Sequence, residues 1–168
     1  MEDLSNRMML ALACYATAVL FTLALMIEAV SHSRLFTPAI DPLAAQESPS
    51  MKIDLRVLSN TLEQSILFAP ALFGLAYFAR SEAEIASVFA FTAVWIFARL
   101  TFWLSYQFDQ SLRAAGLVGS AITLGILVWN SMRFAGQYFG TPGEIGVLAL
   151  FSAAEVLLVI RAVRGGQL

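Results

Sequence analysis

The sequence predicts an all-α integral membrane bundle, and three observations carry that prediction. Hydrophobic residues fill 59% of the 168 positions and charged residues only 13%, with a mean hydropathy of +0.75, well outside the averages of soluble globular chains. Apolar runs of near-membrane length recur along the chain, separated by short polar stretches or by glycine and proline. At the mouth of one run the polar side chains Arg56, Asn60 and Glu63 follow one another at spacings of four and three, which puts all three on one narrow helical face.

The first run, Met8 to Ile27, is free of charge over about the 20 residues needed to cross a bilayer. Acidic Glu2 and Asp3 precede it in place of a basic leader, so it reads as a retained span and not as a signal peptide. Further runs follow at Leu62 to Ala79, Ile85 to Leu104, Leu117 to Met132 and Ile145 to Ile160. They predict a four-helix core over about residues 8–135 and a fifth, C-terminal helix over about 144–163, together one transmembrane domain spanning 1–168. Glu155 interrupts the last run, which leaves a crossing helix or one lying in the interface; its length and its Val/Leu/Ile content favour crossing. The one sizeable loop, Ser31 to Leu55, holds three of the five prolines and several charges.

Lysine and arginine placement orients the spans. Arg34, Lys52, Arg56, Arg113, Arg161 and Arg164 fall on one side, against Arg7, Arg80 and Arg133 on the other, which makes the long loop and the third-to-fourth connection cytoplasmic. A net charge of −2 offers no basic surface for nucleic acid. No metal-ligand spacing, phosphate-binding glycine loop or nucleophile elbow is present. Cys14, alone in the first run, reads as a buried structural thiol, and His32 as a solitary loop residue. Glu28 and Glu155 read as acids within the membrane that face a cavity or a subunit interface.

Antiparallel topology puts Arg56 and Tyr106 at one depth near the cytoplasmic face, with Arg113 opening the fourth helix there. Seven residues further in along each helix, roughly 10 Å, Glu63 and Arg99 reach a common level. A lone charge facing lipid costs about 2.5–3.5 kcal/mol, so this pair is expected to turn inward and form an ion pair. Such a pair could be simple interhelical glue; with Arg56, Asn60, Tyr106 and Arg113 alongside, the constellation predicts a cationic cavity suited to a small anion with hydrogen-bonding groups.

These residues resemble the MAPEG superfamily, membrane-associated proteins in eicosanoid and glutathione metabolism, and within it the leukotriene C synthase-like branch. The motif Arg-x-x-x-Asn-x-x-Glu is matched by Arg56, Asn60 and Glu63. An Ala-Arg-Leu followed by a tyrosine and a second arginine at seven-residue steps is matched by Ala98, Arg99, Leu100, Tyr106 and Arg113. The resemblance implies a homotrimer that binds glutathione between subunits, with Arg56, Asn60, Glu63 and Tyr106 holding the tripeptide and Arg113 favouring the thiolate. It also implies that Arg34 could reach a neighbour's site, against the plain alternative of a solvated loop charge. The chemistry agrees: glutathione carries two carboxylates and an ammonium, which match guanidinium and carboxylate side chains, and a fixed positive charge favours a thiolate.

Two positions depart from the branch pattern. Gln64 and Phe102 stand where tyrosine is frequent, so two hydroxyl donors are missing and specificity is expected to differ. The resulting expectation is a glutathione-dependent transferase or peroxidase, with no metal, acting on a lipophilic electrophile or hydroperoxide drawn from the membrane lipids. The alternatives are a non-catalytic lipid-binding member of the same fold and a small transport or assembly subunit. Compactness favours a bacterial inner membrane over a eukaryotic endomembrane.

Overall fold

The structure is a computed structural model, and it describes residues 3–41, 43, 46–108 and 114–165. Among them there is helix and no strand, and four helices are long and apolar enough to cross a membrane. The chain is an integral membrane protein of the all-α class. Its contacts divide it into two compact units, 1–124 and 125–168.

The first unit opens with α1 (Leu4–Val19), a π-helical turn (Leu20–Ala24) and α2 (Leu25–Leu35), which run on as one span. Its buried stripe reads Arg7, Ala11, Cys14, Ala18, Thr22, Met26 and Val30. From Ala18 onward the steps are all four residues, which would drift about 120° around an ideal helix over three steps. The π turn takes up one extra residue, close to that drift, and keeps Met26 and Val30 facing the core.

Helix α3 (Pro49–Phe78) starts where Ser48 accepts the Met51 amide at 3.1 Å and proline occupies the first turn. Helix α4 (Glu82–Phe108) starts on a reciprocal cap: the Glu84 amide donates to the Ser81 hydroxyl, and the Ser81 amide donates to the Glu84 carboxylate. The loop between α2 and α3 is therefore shorter than the expected Ser31–Leu55, and His32 lies in α2, 3.7 Å from Glu28 one turn earlier. Hydropathy marks the part of a helix that lipid touches; caps and tertiary packing set where it ends. Ala39 of the loop packs on Val30 and Met51, which ties the loop down.

Helices α1, α3 and α4 pack together around an aromatic centre. The rings of Phe68 and Trp95, 0% and 1% exposed, stack with centroids 4.4 Å apart, and Phe91 lies 4.9 Å from Phe68. Arg7, an orientation charge in the sequence, is buried here; its guanidinium donates to the carbonyl oxygens of Ala79 and, at 3.3 Å, Tyr77. It caps the C-terminus of α3, whose last carbonyls have no helical partner.

Helix α5 (Ala114–Gly165) is broken at Gly140, where φ is +62° and ψ is −157°, with Pro142 two residues on. Only glycine adopts that conformation at little strain. Each arm is about 25 residues, or roughly 37 Å, so each can cross a membrane. In the second unit the two arms meet at glycines: a Cβ on Gly143 would lie 2.7 Å from the Ala135 carbonyl oxygen, and the Glu144 side chain lies over Gly136. Glu155 is exposed on the second arm.

Candidate functional site

The polar stripe of α3 forms one wall of a cavity of about 390 Å³. Arg56, Ser59, Asn60 and Glu63 line it from α3, and Phe102 and Tyr106 from α4, all within the first unit. Steps of three, one and three residues keep the α3 group on one face, and the one-turn step on α4 sets the two rings edge to face, 5.0 Å apart. Ser59 was not singled out from the sequence, although it sits three residues after Arg56 on the same face. Arg56, Ser59 and Glu63 are exposed, so a single chain leaves this wall open on its outer side.

Arg99 lies behind the wall, 1% exposed. Its guanidinium donates to Asn60 Oδ1 at 3.0 Å, to the Gly116 carbonyl at 2.8 Å and to Ser120 Oγ at 3.3 Å, and its carbon sits 5.1 Å from the centre of the Phe102 ring. The expected ion pair between Arg99 and Glu63 is not formed. Glu63 is exposed and lines the open cavity, whereas Arg99 meets Asn60 on α3 and is directed across the bundle to α5. Glycines allow that reach: a Cβ on Gly119 would lie 2.7 Å from Ala98 Cβ, and one on Gly116 would overlap the Phe102 ring. Because Arg99 occupies Asn60 Oδ1, the amide N–H groups are the part of Asn60 left for the cavity.

A second polar contact joins α3 and α4 beside this site. Asp54, 7% exposed, accepts from Trp103 Nε1 at 2.8 Å and from Gln107 Nε2 at 2.9 Å. Nothing local in the chain singles it out, since one acid at the end of a span reads as an ordinary loop charge. Arg34 stands at the end of α2 and does not line the cavity of the single chain. Arg113 lies outside the described residues. Cys14 is buried beside an apolar groove between α1 and α4, lined by Leu10, Thr17, Phe89 and Ile96 among others. Among the described residues, no three of His, Cys, Asp and Glu come close enough together to hold a metal ion.

A membrane-spanning helical bundle with a cavity walled by arginine, asparagine, glutamate and tyrosine is the class that fold and site define. The chain belongs to the MAPEG family, whose family model matches residues 9–132. That family is associated with glutathione and includes transferases and peroxidases as well as members without catalytic activity. No curated protein matches the chain significantly, and neither does any solved structure.

Proposed function

We propose that this protein is a glutathione-dependent membrane transferase or peroxidase of the leukotriene C synthase-like type, a single transmembrane domain over 1–168 that acts as a homotrimer. The observation that carries the reading is the wall itself: Arg56, Asn60, Glu63 and Tyr106 surround one cavity of about 390 Å³, with the asparagine held by a buried arginine. Glutathione's carboxylates find guanidinium and amide donors there, and its ammonium finds Glu63. A charged wall left open at helix depth suits closure by a neighbouring subunit, whose Arg34 could lie over the site.

In this reading Arg113, on the cytoplasmic side of a bacterial inner membrane, stands near the sulfur and favours the thiolate, which attacks a lipophilic electrophile or hydroperoxide arriving from the lipid. The reading is tested on detergent-purified protein. Millimolar glutathione is expected to raise the melting temperature and to develop thiolate absorbance below the free thiol's pKa. Arg113→Ala is expected to abolish the thiolate signal and keep part of the binding. Full conjugating activity in that variant would reject the role of Arg113. Absence of any protection by glutathione would favour a non-catalytic lipid-binding or transport role.

A further inference from the structure

We propose that Asp54 is a positioning residue for the cavity: through Trp103 and Gln107 it pins the last turn of α4 and holds Phe102 and Tyr106 at the angle at which they form the wall. The inference rests on the proposed function only for the identity of the ligand. Its geometry is independent of that ligand.

On α4 two one-turn pairs lie side by side. Phe102 and Tyr106 face the cavity, while their immediate neighbours Trp103 and Gln107 donate to Asp54. Both hydrogen bonds end on the same oxygen, Oδ1, so a rotation of α4 breaks both together. Asp54 precedes Arg56 by two residues, about 200° around α3, so it sits on the side of the helix away from the cavity stripe. It does not line the cavity, and among the described residues it forms no ion pair. A carboxylate buried without a cation is costly to keep, and these two donors are what satisfy it.

The lever is long. A phenol oxygen stands roughly 9 Å from its helix axis, so a 20° turn of α4 moves it by about 3 Å, more than a bound ligand's hydrogen bond tolerates.

The test uses Asp54→Ala, Asp54→Asn and Trp103→Phe in the full chain, with two readouts: amide hydrogen exchange by mass spectrometry without ligand, and glutathione affinity by calorimetry. Asp54→Ala is expected to speed exchange in peptides covering 101–108 about tenfold and to weaken glutathione by about the same factor. Trp103→Phe removes one donor and is expected to give about threefold in each. Asp54→Asn keeps an oxygen that accepts both bonds and is expected to stay within about twofold of the unmodified protein.

Unchanged exchange at 101–108 in Asp54→Ala overturns the pin, as does faster exchange spread evenly over the chain, which would mean general destabilisation. Asp54→Asn behaving like Asp54→Ala also overturns it, because charge and not hydrogen bonding would then be the cause. Local loosening with unchanged glutathione affinity overturns the positioning role. If the variants loosen 101–108 but the unmodified protein does not bind glutathione, the proposed function fails and the pin stands.

Discussion

Substituting Asn60 by leucine, Arg99 by methionine, and both together isolates the contact on which the cavity wall depends. Asn60→Leu strips one acceptor, at 3.0 Å, from a guanidinium that is 1% exposed. A hydrogen bond to a charged group is worth about 1.5–3 kcal/mol, and that is the expected loss. It falls short of the roughly 3–5 kcal/mol for a buried charge stripped of its partner, because Gly116 and Ser120 still accept from Arg99. Arg99→Met behaves differently. It removes the buried charge along with its bonds, leaves Gly116 still accepting from Ser120 Oγ at 3.0 Å, and strands only the half-buried Asn60; the expected loss is about 0–2 kcal/mol. The double variant is then expected to be more stable than the sum of the singles by about 1.5–3 kcal/mol. Equilibrium unfolding in mixed detergent, followed by tryptophan fluorescence, measures the cycle. Additivity within about 0.5 kcal/mol would refute the coupling, and with it the argument that Arg99 orients the Asn60 amide.

Three further perturbations follow from the geometry. Gly116→Ala places a methyl group in the Phe102 ring, so the ring must move; destabilisation of about 1–3 kcal/mol is expected in the same assay, with weakened glutathione affinity because that ring is part of the wall. Arg7→Met removes the cap from the last carbonyls of α3 and is expected to destabilise by about 1–2 kcal/mol, with faster amide exchange confined to the region around Tyr77 and Ala79. Gly140→Ala puts a side chain at φ +62°, ψ −157° and is expected to lower stability by about 1–3 kcal/mol, read as an earlier thermal transition, while Gly146→Ala, where a Cβ meets open space, is expected to be neutral.

The legible part of the site is the part that lies on one helix or on one short segment. Arg56, Asn60 and Glu63 share a face because their spacing fits the helical repeat, and Tyr106 joins them because topology puts the end of α4 beside the start of α3. Asp54 and Arg7 were illegible for the opposite reason: each acts through a partner at least 49 residues away, and nothing in its local sequence points there. Ser59 is intermediate, since its position follows from the stripe but a serine carries too weak a signal to be chosen.

The chain by itself determined which segments are apolar enough to span, which polar groups share a helical face, and how far along each helix a side chain sits, because a helix advances a constant 1.5 Å per residue and turns a constant 100°. Which way Arg99 turns was a matter for the tertiary structure alone. The expected level was that of Glu63, but the direction of a side chain around its helix is settled by what packs beside it, and here close approach at Gly116 and Gly119 brought a carbonyl and a hydroxyl of α5 within reach, with the Asn60 amide supplied by α3, while Glu63 stayed in the open cavity.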